Sequence, residues 1–263
     1  MCVLVSIGML ISTLEWLFNW QALRDDGALS WTLFQTRRQL WNRPLLVWMA
    51  TPFFGFPNFL ILLAARAAGA IALMLFAADA FIRPIALTAI VVSTLLIHAR
   101  SWPYGFSGAD RMSLVVAGAL WLRECAPADK LAADASLWFI AVQSCLSYVT
   151  AGLPKLFSPT WRNGAAVRAT FSHSLTGNAF LSSKPGWNTL SGLLAWSVIL
   201  GQCLFPLAVL TPWPFGLVFI AWALLFHLSA AAFMGFNTFI WAWAATYPAV
   251  IHVALVIHGV RSS

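Results

Sequence analysis

The sequence is poor in charge: only 9% of its 263 residues are Asp, Glu, Lys or Arg, against roughly a quarter in a soluble domain. An aqueous fold of this size has too little polar surface to hide what remains. Paired cysteines are also lacking. Cys2, Cys125, Cys145 and Cys203 stand far apart with no C-x-x-C spacing, which argues against a redox or zinc centre, and no metal site is expected. No Lys or Arg precedes Arg24, so the start lacks the positive n-region of a secretory signal peptide and reads as a retained membrane-embedded element. There is no block of like charge. The 15 Lys and Arg, set against 8 Asp and Glu, fall mostly between apolar segments, a pattern of membrane orientation and anionic lipid heads and not of nucleic-acid binding. No period marks an internal repeat.

What is there is apolar and aromatic. Hydrophobic residues make up 61% of the chain and the mean hydropathy is +0.82. A bilayer core about 30 Å thick needs around 20 apolar residues per helix, and the 15 tryptophans fall largely near segment ends, where an amphipathic ring suits the headgroup layer. The expected fold is therefore an all-α polytopic transmembrane bundle of about six to eight membrane helices with one interfacial amphipathic helix. It is expected as a single transmembrane domain over residues 1–263, with an N-terminal membrane or interfacial element to residue 55 and a helical core over 56–260.

Along the chain, Met1 to Trp20 is apolar but interrupted by Glu15, and either spans or dips into the membrane. Ala28 to Trp41, broken by Arg37 and Arg38, has the pattern of an in-plane amphipathic helix. Apolar helices are expected at Phe59 to Ala78, Pro84 to His98, Ala135 to Phe157, Leu190 to Leu210, Gly216 to Phe233 and Phe236 to Ile257, with a short apolar stretch at Met112 to Leu122. Most prolines punctuate these segments; Pro154 and Pro206 lie inside apolar runs. If every segment crosses, the basic residues put the Ser158 to Asn188 loop in the cytoplasm, and if Met112 to Leu122 does not cross, that loop moves to the other face.

Ionisable groups at membrane depth cost on the order of 2.5 to 3.5 kcal/mol on insertion scales and so mark places to look for chemistry. Arg66 in mid-helix, with Asp79 at the helix end, suggests snorkelling or an ion pair. Gln143 and Gln202 suit interhelical hydrogen bonds. The run from His98 to Arg111 gathers a histidine, two arginines and an aspartate around Trp102-Pro-Tyr-Gly-Phe; it is either a polar cap on a site or a solvated loop, and Asp110 is placed to cap the helix that follows. Lys155, behind Pro154 at the end of an apolar helix, is either a base where the helix opens, since burial disfavours an ammonium ion, or a headgroup anchor. His227, inside an apolar run with Asn237 ten residues on, is either packed and hydrogen-bonded or a proton relay.

At these residues the sequence resembles the horizontally transferred transmembrane domain family, which includes vitamin K-dependent gamma-carboxylase and bacterial relatives. The resemblance rests on Tyr148-Val-Thr-Ala-Gly-Leu-Pro-Lys-Leu with Trp161 and Gly164, on Phe226-His227 leading through Phe239 to Tyr247-Pro248, and on Trp102-Pro-Tyr-Gly-Phe with Gly108-Ala-Asp110-Arg111. It covers Phe59 to Val260. It implies a helical bundle whose site opens to the non-cytoplasmic face, with Lys155 as the base that deprotonates a reduced, vitamin K-like quinone and His227 as a second catalytic group. His98, Asp110, Arg111, Trp161 and Asn237 would form the substrate-binding rim. The chain has Pro154 where the carboxylase carries a second lysine, and it ends at Ser263 without the carboxylase's large extramembrane domain. It is therefore more similar to the short bacterial branch related to the membrane protein that helps produce a sporulation-delaying peptide. The expectation is a multi-pass protein of the bacterial inner membrane that modifies or matures a peptide or lipid-soluble substrate, with the bilayer and a small secreted peptide or its precursor as partners. The rival expectation is a non-catalytic escort for such a peptide; a small transporter is a third.

Overall fold

The structure is a computed structural model and describes residues 1–36, 43–101, 107–173, 177 and 182–260. Arg37 and Arg38 of the expected interfacial helix and the motif Trp102 to Phe106 lie outside the described residues. The described chain is all-α and divides into two compact units, Met1–Pro127 and Ala128–Ser263.

The first unit is built from α1 (Cys2–Phe18), α2 (Trp31–Thr36), α3 (Pro44–Phe54), α4 (Phe59–Leu75), α5 (Ile82–Ser101) and α6 (Gly108–Glu124). α4 is its centre, packed on α5 and α1. Lipid tails are as apolar as leucine, so helices in a membrane gain from close backbone approach more than from burial. Gly69 supplies this: a Cβ there would lie 3.1 Å from the Ala86 carbonyl oxygen of α5. The ends of α5 and α6 are joined by a bidentate pair, Arg83 Nε to Glu124 Oε1 at 3.0 Å and Nη2 to Oε2 at 2.9 Å, the fork geometry that makes arginine a strong carboxylate partner. Trp31 and Phe34 of α2 are buried, so the described part of the expected Ala28 to Trp41 helix is packed by its aromatic face.

The second unit contains α7 (Lys130–Phe157), α8 (Pro159–Arg162), α9 (Ala165–Ser172), α10 (Trp187–Leu204), α11 (Leu207–Leu210), α12 (Leu217–Met234), α13 (Asn237–Ala244) and α14 (Tyr247–Ile257). α7, 28 residues long, packs against both α10 and α14. The approach of α7 and α10 depends on Gly152, where a Cβ would stand 2.9 Å from the Cys203 backbone nitrogen. α10 and α12 meet at Gly201, whose missing side chain is replaced by the Trp222 indole.

Among the described residues four helical segments are long and apolar enough to cross a membrane: Ile82–Ser101, Lys130–Phe157, Leu217–Met234 and Asn237–Ile257. A fifth arises if α3 and α4, bent by 59° at their junction, form one broken span. The expected six to eight crossings are thus not confirmed among the described residues. Two expected helices are also interrupted. Leu190 to Leu210 breaks between α10 and α11 at Phe205–Pro206, where proline cannot supply the amide donor, and Phe236 to Ile257 pauses at Ala245–Thr246 before Pro248. Pro154, by contrast, is accommodated inside α7.

Candidate functional site

Polar side chains in these apolar helices are few, so their meeting points are informative. One enclosed meeting point lies in the second unit. Tyr148 projects from α7, His227 from α12 and Tyr247 from the start of α14, and all three are buried. The Tyr148 hydroxyl lies 2.8 Å from His227 Nε2 and 3.1 Å from the Tyr247 hydroxyl. Aromatic rings close the surroundings. Phe205 stacks on Tyr148 with centroids 3.9 Å apart, Trp243 stacks on His227 at 4.9 Å, and Phe226 meets the imidazole edge-on at 5.0 Å. Trp243 is itself oriented by its indole N–H, which donates to Ser147 Oγ at 3.1 Å.

The triad can hold its protons in two ways. If the Tyr148 hydroxyl donates to Nε2, the imidazole carries its proton on Nδ1; if Nε2–H donates to Tyr148, Nδ1 presents a lone pair. In both settings Nδ1 is buried and has no hydrogen-bond partner. An unsatisfied buried polar atom costs about 1–3 kcal/mol, and a group of this kind calls for an explanation such as a catalytic role or a bound partner. The two settings differ in which ring nitrogen of His227 carries the proton and in the direction of the hydroxyl donors, and passing between them requires Nδ1 and the Tyr247 end each to exchange a proton with a group outside the triad. Gln202 of α10 adds a second orphan, its Oε1 buried with no partner. The expected interhelical hydrogen bond of Gln202 through that oxygen is therefore absent among the described residues. Gln202 sits against Gly152, one turn beyond Tyr148 on α7.

Lys155 lies seven residues after Tyr148, about 10 Å further along α7. Its Nζ donates to the Ala151 carbonyl at 2.7 Å and sits 5.0 Å from the centre of the Trp161 ring. This brings Lys155 and Trp161 together, with the ammonium at the carbonyl-rich end of its own helix. Asn237 opens α13 and is exposed.

The remaining expected site residues belong to the first unit, where they join a different network. Arg66 is buried; its Nε donates to Thr13 Oγ1 at 2.7 Å and its Nη2 to Ser12 Oγ at 3.5 Å. Ser12 in turn donates to Asp110 Oδ1 at 3.3 Å. Arg66 and Asp110 are thus linked through hydroxyls across α1, α4 and α6. The expected partnership of Arg66 with Asp79 is not formed: Asp79 accepts from the Phe81 and Ile82 amides, both at 2.8 Å, and caps α5. Those two amide hydrogen bonds hold the exposed Asp79 carboxyl below its ordinary value. Asp110 is not the cap of α6 either. Ser107 is, its Oγ accepting from the Asp110 amide at 3.1 Å and donating to Asp110 Oδ2 at 2.8 Å, a serine–aspartate variant of the capping box. Arg111 beside it is exposed and His98 is half-buried on α5.

Sequence reasoning passed over the chemistry of Tyr148 and Tyr247. The signal was their rarity: the chain has 3 tyrosines, and two of them stand in apolar helices where a phenol needs a partner. No family model, curated protein or solved structure matches this chain.

Proposed function

We propose that this multi-pass membrane protein, with a bacterial inner membrane as its expected setting, moves protons on a lipid-soluble or peptide substrate during its modification or maturation. His227, Tyr148 and Tyr247 would form the buried relay, and Lys155 would be the base at the helix end. The observation that carries the reading is His227 Nδ1, a buried ring nitrogen left without a partner at the end of a hydroxyl chain. A general base must reach the proton it takes within hydrogen-bond distance, and Nδ1 is the atom of the triad left over for that contact.

The donor set suits the reduced quinone that the gamma-carboxylase resemblance implies: a ring nitrogen and an amide oxygen, each unpartnered, with the Trp243 and Phe226 rings against the imidazole. When bound, such a group supplies an ionisable hydroxyl. His227 Nδ1 and Gln202 Oε1 would orient it and the aromatic rings would exclude water. Lys155, as the neutral amine released from the Ala151 carbonyl, would take the hydroxyl proton, while Tyr148 and Tyr247 hold the imidazole through Nε2.

The contact of Lys155 with that carbonyl and with Trp161 favours the second reading, a non-catalytic escort for a secreted peptide in which Lys155 anchors a helix end. Native mass spectrometry of the gently solubilised protein, with extraction of its lipids, separates the two. Under the enzyme reading a quinone co-purifies with the wild type and is depleted in His227→Ala and Lys155→Ala. A peptide partner retained equally by all three, with no quinone, would replace it with the escort.

A further inference from the structure

Arg100 is wholly buried in the last turn of α5, and no carboxylate among the described residues lies within ion-pair distance of it. Its Nε donates to the Phe54 carbonyl at 3.0 Å and its Nη2 to the Leu29 carbonyl at 2.7 Å. Its guanidinium carbon lies 4.1 Å from the centre of the Phe59 ring and 4.8 Å from that of Phe34. These contacts fix the plane of the group and leave Nη1 buried with no partner. The adjacent side chain repeats the pattern: Ser101 Oγ is buried and unpartnered as well. Taking a guanidinium out of water costs several kcal/mol unless a counter-charge is supplied. Two carbonyls and two rings offset part of that and neutralise none of the charge.

The position of Arg100 narrows what the counter-charge is. α5 has 20 residues, about 30 Å of helix and so the thickness of the hydrocarbon core, which puts its last turn at headgroup level. Arg100 there holds the end of α3 through Phe54, and α2 is pinned to the same helix by the Trp31 indole N–H donating to Thr51 Oγ1 at 3.0 Å. α3 itself turns an apolar face outward: Leu45, Trp48, Met49 and Phe53 are exposed, Trp48 to 74%. A ligand with an anionic head and apolar tails matches both features.

We propose that Arg100 and Ser101 form a site for the phosphate of an anionic phospholipid, whose acyl chains run along the exposed face of α3. Nη1 and the Ser101 hydroxyl donate to the phosphate oxygens, and the two phenylalanine rings keep the guanidinium from turning away. The site is independent of the His227 triad.

The test uses the full chain, delipidated in a neutral detergent and titrated with phosphatidylglycerol, phosphatidylcholine or inorganic phosphate, reading bound lipid by native mass spectrometry and the midpoint of thermal unfolding. Phosphatidylglycerol is retained by the wild type and raises its midpoint, while phosphatidylcholine and inorganic phosphate do neither. Ser101→Ala, which leaves the arginine in place, weakens phosphatidylglycerol binding about tenfold, the loss of one hydrogen bond to a charged group; Arg100→Lys abolishes the selectivity; and Arg123→Gln, which removes one exposed charge, changes nothing. Equal retention of the two lipids by the wild type, or phosphatidylglycerol binding indifferent to Ser101→Ala, overturns the proposal. Stabilisation by inorganic phosphate to the same extent overturns the lipid and leaves a site for a free anion.

Discussion

The Tyr148 hydroxyl meets His227 Nε2 at 2.8 Å, tying α7 to α12 by a hydrogen bond between residues 79 positions apart. Replacing Tyr148 with Phe keeps the stacking on Phe205 and removes both hydrogen bonds of the hydroxyl. The expected cost is about 1–3 kcal/mol, because His227 and Tyr247 are left buried and unpaired. The double variant Tyr148→Phe with His227→Phe recovers part of that, since removing both partners removes the desolvation penalty. Denaturant unfolding of the purified protein in detergent measures the cycle.

The crossing of α7 and α10 is set by Gly152. Alanine there brings a Cβ to 2.9 Å from the Cys203 backbone nitrogen, and backbone cannot rotate aside as a side chain can. Gly152→Ala is expected to destabilise by about 1–3 kcal/mol, read as a lower thermal midpoint, whereas Gly118→Ala, with open space around its Cβ, is neutral or stabilising in its helix.

In the first unit, Ser107→Ala removes the cap of α6 and is expected to cost about 1 kcal/mol. Asp110→Ala removes its hydrogen bonds to Ser107 and Ser12 together and costs more, because the hydroxyl bridge to the buried Arg66 loses its acceptor. Urea unfolding of the two variants orders them.

Asp79 predicts a pH dependence. Its carboxyl is held below its ordinary value by the Phe81 and Ile82 amides, so between the folded and the unfolded pKa the unfolded chain binds the extra proton. The contribution of Asp79 is therefore fully present above about pH 4, the value for an unfolded aspartate, and is lost as the pH falls through the lower folded value. Unfolding midpoints followed downward from pH 6 should fall less steeply in Asp79→Ala than in the wild type.

These sites differ in how far the chain alone announced them. The long crossings were legible because α5, α7 and α12 are each 18 residues or longer, apolar on average and poor in charge, and hydrophobic length is a local property. His227 and Lys155 stood out because ionisable groups are rare in such runs. Their partners were not legible: whether His227 faced Tyr148 or lipid depended on the rotation of α7 against α12, which no local pattern carries. Arg66, with Asp79 at its helix end, was read as snorkelling or ion-paired, but a helix end offers a carboxylate free amides, and Arg66 donates to Thr13 of α1 instead. Arg100 was read into a turn that is either a polar cap or a solvated loop, whereas α5 continues through Ser101 and buries it. The breaks at Phe205–Pro206 and Ala245–Thr246 were hidden by apolar residues on both sides, which mask a change of helix axis.

Under the proposed function, His227 Nδ1, buried and unpartnered, is the atom of the triad left for a substrate. Nitrogen-15 magnetic resonance of the histidine rings in lipid nanodiscs, assigned with His227→Gln and recorded with and without a short-chain reduced naphthoquinone, tests it directly. The His227 Nδ1 resonance is expected to move on adding the quinol, and Tyr148→Phe to change the response. His227 ring resonances unchanged in a sample that native mass spectrometry shows to be loaded with the quinol would contradict it.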